Sequence, residues 1–143
     1  MTSDAPQKYA VLGLGPFGSE MARQLAGEGS EVLIIDHDED AVQALSDEVE
    51  VAVIADVCDE DAVREAGVTK DHCAIVAIDH AIEPSALAVI ALQNIGVTRI
   101  MAKARDEKHA LILERLGADE VVNPDREAAS RLTSRLCGGD GDS

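Results

Sequence analysis

The chain predicts an α/β fold, a single domain on a doubly wound, parallel, six-stranded sheet. Three observations carry this. Short runs of branched aliphatic residues alternate with amphipathic helical stretches along nearly all of its 143 residues. The runs are almost continuously apolar, as in strands covered by helices on both faces. Their residues are Ala, Val, Leu and Ile; Tyr9 and Phe17 are the only aromatics. The length fits one domain, and an apolar content of 46% is enough to fill one core.

Taken in order, Tyr9–Leu14 reads as the first strand. The helix after it carries Phe17, Met21 and Leu25 on one face, with Ala22 beside them. Glu31–Asp36 (EVLIID) is the second strand, and Ala41, Val42, Leu45 and Val49 line the second helix. Val51–Ala55 is the third strand. Asp59–Ala66 (DEDAVREA) follows as a helix whose acidic start suits the positive end of the dipole and whose end is marked by Gly67. Cys73–Ile78 (CAIVAI) is the fourth strand. Pro84 opens the long fourth helix, where its missing N–H costs nothing, and Leu87, Ile90, Ala91 and Ile95 follow at helical spacing. Thr98–Lys103 is the fifth strand, and Asp106–Leu116 a helix closed by Gly117. A short sixth strand, Glu120–Val122, leads into a last helix from about Pro124 to Leu136, with Leu132 and Leu136 on one side. The expected strand order is 3-2-1-4-5-6. The domain spans 8–137, between a short polar N-terminus expected to be flexible (1–7) and a tail, GGDGDS (138–143), expected to be disordered.

The segment VLGLGPFGSEMA holds the motif with chemistry. Gly13, Gly15 and Gly18 fit G-x-G-x-x-G between a strand and a helix, the context that this motif needs. Gly13 permits the tight turn, Gly15 lets a pyrophosphate approach the backbone, and Gly18 lets helix and strand pack closely. The loop Gly13–Leu14–Gly15–Pro16–Phe17–Gly18 then offers N–H groups at a helix N-terminus to phosphates. Asp36 ends the second strand eighteen residues after Gly18, where a carboxylate accepts bonds from ribose hydroxyls and repels a 2′-phosphate. The fold is therefore Rossmann-type, and NADP is disfavoured as ligand.

Further candidates lie at the strand ends. His37 follows Asp36. Backbone groups of Asp56 and Val57 could read a base edge, or Asp56 could simply start the helix turn. Ala77, Ile78 and Asp79 sit at the switch point of the sheet. Lys103 and Arg105 follow the fifth strand; they could reach distal phosphates or pair with surface acids. The four histidines (His37, His72, His80, His109) have no metal-ligand spacing and read as surface or packing residues. The acidic clusters Asp36–Asp40 and Asp59–Ala62 read as helix starts on a solvated face.

Composition narrows the classes. Acids outnumber Lys and Arg by 28 to 12, a net charge of −16, which argues against nucleic acid and against direct docking on an anionic membrane. Only four lysines and so many acids also suit a salt-rich cytosol. Cys58, Cys73 and Cys137 form no C-x-x-C pair, so neither a disulfide framework nor a zinc site is expected and a reducing compartment fits. No signal peptide or membrane-length apolar run is read, so any membrane role has to come through a partner. There is no substrate domain, no Ser/His/Asp arrangement and no cysteine with an evident base, so an enzyme is not expected.

The chain resembles the N-terminal nucleotide-binding domain of the TrkA/KtrA proteins, also called the RCK or KTN domain. The likeness runs through GLGPFG (Gly13–Gly18), IID ending at Asp36, ADVCDEDAVREAGV (Ala55–Val68), CAIVAI, and ALAVIALQNIGVTRIMAKARDEKHALILERLGADEVVNPD (Ala86–Asp125), the most specific block. The resemblance implies a regulatory domain that binds ATP, ADP, AMP or NAD(H). It implies homodimers paired through about Asp106–Leu136, and rings beneath a potassium-conducting membrane subunit that they gate by ligand-dependent shape change. It places the protein in the cytoplasm, on the inner face of the membrane through that partner. Pro16 stands where family loops often carry an arginine, so this residue gives no discrimination of ATP from ADP. The family's smaller C-terminal ligand domain has no counterpart here, which leaves a shortened chain or a lone N-domain with a separate partner. Two other classes stay open: a small NAD-dependent oxidoreductase or a fragment of one, and a nucleotide-sensing module of another cation or amino-acid transporter.

Overall fold

Six short aliphatic runs pair into one parallel sheet. The computed structural model describes residues 7–79 and 81–138. The strands are β1 (Lys8–Leu12), β2 (Glu31–Asp36), β3 (Val51–Ile54), β4 (Cys73–Val76), β5 (Arg99–Lys103) and β6 (Glu120–Val122). Their order is β3-β2-β1-β4-β5-β6, with every ladder parallel, the doubly wound arrangement read from the sequence. The helices are α1 (Pro16–Gly27), α2 (Glu39–Leu45), α3 (Glu60–Glu65), α4 (Ile82–Ile95), α5 (Glu107–Leu116) and α6 (Pro124–Gly138).

Helices cover both faces of the sheet, which is why the strands are apolar throughout. On one face α1 and α2 bring Ala22, Val42 and Leu45 onto Val11, Ile34 and Ile75. On the other, α3, α4 and α5 bring Val63, Leu92 and Leu113 onto Leu12, Ile35 and Ile100. Each large aliphatic side chain buried this way stabilises the fold by roughly 1.5–3 kcal/mol relative to exposure. Aspartates start three helices: the Asp38 carboxylate accepts from the N–H of Asp40 and Ala41, that of Asp59 from Asp61 and Ala62, and that of Asp106 from His109. Gly96 and Gly117 end α4 and α5 in the left-handed conformation.

The element ends depart from the sequence reading where the chain leaves the sheet. The first strand stops at Leu12, not Leu14, because Gly13 turns with φ +100°. The fourth stops at Val76, not Ile78; Ala77 donates one more bond to the Leu12 carbonyl at 2.8 Å before the chain splays away. The third ends at Ile54 and the fifth begins at Arg99. In the second helix the expected face overran: α2 ends at Leu45, and Val49 reaches the same core from the following turn. The fourth helix is apolar almost all round, so helical spacing fits two faces; Ala88, Val89, Ala91 and Leu92 are buried, while Leu87 and Ile90 are exposed. The last helix buries no residue and continues through Gly138, the first residue of the expected tail. The rest of that tail (139–143), His80, and residues 1–6 of the expected flexible N-terminus lie outside the described residues.

Candidate functional site

The sheet reverses its winding between β1 and β4, and the crevice outside the strand ends at that point is where α/β sheets of this kind bind ligands. A cleft of about 490 Å³ opens there. Its floor is Gly13, Leu14 and Gly15, with Ala77, Ile78 and Asp79 from the β4 end on one side. Asp36 and His37, at the end of β2, form the far wall with Asp56 and Val57 from the end of β3. Ten of the fifteen candidate site residues read from the sequence thus meet around one cavity.

The loop is held by close packing that admits no side chain. A Cβ on Gly13 would sit 2.8 Å from the Ala77 carbonyl oxygen, and one on Gly18 would overlap the Gly13 carbonyl and lie 3.0 Å from the Ala77 methyl. Gly18 therefore sets how near α1 comes to the strand ends, as the motif requires. Gly15 is the N-cap and Pro16 the first residue of α1. The N–H groups of Gly15, Phe17 and Gly18 have no acceptor among the described residues, so they remain for a ligand anion at the positive helix end.

Asp36 is tied to this loop. One carboxylate oxygen accepts the Leu14 N–H at 2.6 Å and the other the Asp38 N–H at 2.9 Å. Each oxygen keeps a lone pair for a hydroxyl donor. His37 points outward, its Nδ1 3.4 Å from Asp36. The Asp56 carboxylate accepts the Cys58 N–H at 2.9 Å, so its side chain shapes the turn into α3.

Five predicted residues do not line this cleft. Pro16, Phe17 and Gly18, at the start of α1, are not among its wall residues. Lys103 lies in a neighbouring cleft of about 460 Å³ with Arg105, His109, Asn123, Asp125 and Arg126, and its ammonium forms an ion pair with Asp79. Of the two roles open to Lys103, a distal phosphate or a neighbouring acid, it has an acid partner in Asp79.

Other wall residues were not singled out in the sequence. Asp38 and Ala41 line the cleft from the start of α2, and Ala81 and Pro84 from the start of α4. Cys58 lines it too; burial, with Asp56 beside it, pushes its thiol up from the ordinary 9.0 and keeps it protonated. On the wall of the second cleft His109 is almost fully buried. Its Nδ1 accepts the Arg105 N–H at 3.1 Å, which leaves Nε2–H to face the Ser85 hydroxyl at 3.1 Å; Ser85 in turn donates to the Ala81 carbonyl at 2.5 Å. This fixes a neutral imidazole between α5 and the first turn of α4, and burial, then the Arg105 charge, hold its pKa below the ordinary 6.5. Among the described residues no group of His, Cys, Asp and Glu could hold a metal ion, and no helix is long and apolar enough to cross a membrane.

Known proteins share this fold. The chain is 36% identical over 130 residues to the Ktr system potassium uptake protein C of Bacillus subtilis, covering 91% of this chain and 59% of that protein. It therefore spans less than two thirds of the length of such relatives. Its fold matches the TrkA-N domain of the inner membrane protein ybaL from Escherichia coli (TM-score 0.78, 20% identity, 94% of this chain and 99% of that one). It also matches the Shewanella denitrificans Kef CTD in AMP-bound form (0.73, 24%, 95% and 82%) and the GsuK channel bound to NAD (0.67, 16%, 85% and 22%). The TrkA-N domain pattern itself runs through residues 9–124, from β1 to the start of α6 and across every wall of the cleft, and the chain belongs to the TrkA-N domain family.

Proposed function

We propose that this chain is the nucleotide-sensing unit of a potassium transport system. Its cleft takes NAD(H) or an adenine nucleotide (ATP, ADP or AMP), and ligand exchange shifts a shape equilibrium that is passed to a membrane potassium-translocating subunit. The observation that carries this reading is the union of free loop N–H groups with Asp36: diphosphate and ribose recognition sit side by side on one floor. The potassium uptake relative and the AMP- and NAD-bound structures support both halves of it. Asp36 opposes a 2′-phosphate and so excludes NADP.

Assembly follows from the surface. Leu87 and Ile90 on α4, Leu111 and Ile112 on α5, and Leu132 and Leu136 on α6 are exposed. A second copy covering α5 and α6 would remove the last four from water, and such a homodimer is the unit from which a ring is built. The protein then works without catalysis, in the cytoplasm against the inner membrane face. A thermal-shift panel with ATP, ADP, AMP, NAD, NADH and NADPH tests the reading. A ligand at about 100 times its Kd adds roughly 2.7 kcal/mol of stability. Stabilisation by NAD(H) or adenine nucleotides but not NADPH is the expected result; no shift with any of them overturns it.

A further inference from the structure

The two clefts meet at Asp79, and we propose that this residue sets the class of ligand: the site selects a dinucleotide over a nucleoside triphosphate. The inference rests on the nucleotide reading above and deepens it.

Ile78 and Asp79 line both cavities, so the two clefts adjoin across the strand ends. Each half, about 490 and 460 Å³, lies within the roughly 300–1,000 Å³ of small-ligand sites. At the junction the Asp79 carboxylate lies directly on Gly15, with Cγ 3.2 Å from where a Cβ would be. That is the place where a diphosphate has to approach the backbone. The other oxygen of Asp79 holds the Lys103 ammonium, whose nitrogen is 6.0 Å from the Phe17 ring centroid. The cation nearest the loop is therefore offset at contact distance.

Any phosphorylated ligand anchored on Asp36 has to turn Asp79 off Gly15. What the carboxylate meets next differs between ligand classes. With a dinucleotide it faces a second ribose, whose hydroxyls donate to it as those of the first ribose donate to Asp36. With a triphosphate it faces another phosphate oxygen, which brings charge and no proton. Around the second cleft the cations already have acids at hand: Lys103, Arg105 and Arg126 share its wall with Asp79 and Asp125, and beside the wall Asp106 lies 3.6 Å from Arg105 Nε and Glu107 3.2 Å from an Arg126 guanidinium nitrogen. An uncharged half-ligand needs none of these cations.

The test is calorimetric titration of the 143-residue chain with NADH and with ATP, in one KCl buffer containing EDTA. Wild type, Asp79→Asn and Asp79→Asn with Lys103→Met are compared, with circular dichroism and melting to confirm that each variant is folded. NADH is expected to bind wild type at least tenfold more tightly than ATP. Asp79→Asn removes the charge and frees Lys103, so ATP affinity rises at least tenfold and the preference narrows. In the double variant that gain disappears, because the freed ammonium was its source. ATP binding wild type as tightly as NADH, or an NADH/ATP ratio unchanged by Asp79→Asn, overturns the inference and leaves the nucleotide site standing. Failure of both ligands to bind wild type overturns the nucleotide reading and this inference with it.

Discussion

Replacing Asp36 with alanine is expected to destabilise the chain before any ligand is added. Its carboxylate accepts the Leu14 N–H at 2.6 Å and the Asp38 N–H at 2.9 Å, and its side chain is only 15% exposed. A hydrogen bond to a charged acceptor contributes about 1.5–3 kcal/mol, and the exposed Asp38 bond belongs at or below the bottom of that range. Together they give a loss of about 2–3 kcal/mol, a large share of the roughly 5–15 kcal/mol that holds a domain of this kind together. At about 3 °C per kcal/mol, the melting temperature falls by about 6–9 °C. Urea unfolding followed by far-UV circular dichroism measures the loss. Asp59→Ala, which removes a helix cap away from the cleft, should cost only about 1 kcal/mol and serves as the control. NADH affinity should fall separately, by roughly 5- to 150-fold, as the ribose loses its charged acceptor. An alanine variant as stable as wild type would refute the role of Asp36 as the loop's brace. Unchanged NADH affinity would refute its role as ribose anchor.

Three further expectations follow from the geometry. Gly15→Val should abolish NADH binding by calorimetry and also displace the Asp79 carboxylate from the loop; normal binding would show that the diphosphate lies elsewhere. Burial holds His109 and His72 below their ordinary 6.5, so their neutral forms favour the fold above that pH; below it the unfolded chain takes up protons more readily, and stability is lost as pH falls through the depressed folded values. The urea midpoint should therefore drop between roughly pH 7 and pH 5, and His109→Gln should flatten that slope while lowering stability at neutral pH; an unaltered slope would remove His109 from the account. Leu132→Lys with Leu136→Lys should shift sedimentation toward the monomer without lowering the melting temperature of the monomeric fold, since α6 buries no residue within the chain.

The sheet order and the glycine loop were legible because each rests on local pattern: aliphatic runs of strand length, and three glycines between a strand and a helix. Helix starts at Asp59 and Asp106 and the end at Gly117 were legible for the same reason. The strand ends at Leu12 and Val76 were not. Leu14, Ala77 and Ile78 are as apolar as the strand residues before them, and Leu14 and Ala77 are as buried, under the cleft and not in the sheet. Which face of α4 is buried was hidden by apolar residues all round it. Pairings between distant residues were also invisible. Asp79 and Lys103 were each placed near a ligand, yet 24 positions separate them and nothing local says that they neutralise one another. His109, read as a surface or packing residue, is equally far along the chain from Ser85, whose hydroxyl its ring faces.

The cleft wall carries Asp36, Asp38, Asp56 and Asp79 and no lysine or arginine. It nevertheless has the features of an anion site, and the two facts are compatible because the acids are already engaged. Asp36, Asp38 and Asp56 accept backbone N–H groups, and Asp79 holds Lys103. On the proposed reading, recognition of phosphate is left to backbone N–H groups and the helix dipole, which act at contact range, while the net charge of −16 repels an anion at longer range. Salt separates these contributions. Screening shortens from about 10 Å at 0.1 M to about 3 Å at 1 M, which removes the long-range repulsion and barely touches the contacts. NADH affinity should therefore rise, or at least hold, between low and molar KCl, the opposite of a site built on lysine and arginine. The melting temperature without ligand should rise in parallel, since the same screening relieves repulsion among the 28 acids. Titration and melting across a KCl series measure both. Affinity that falls steeply with salt would mean that side-chain cations hold the phosphates, and the loop would lose the role assigned to it.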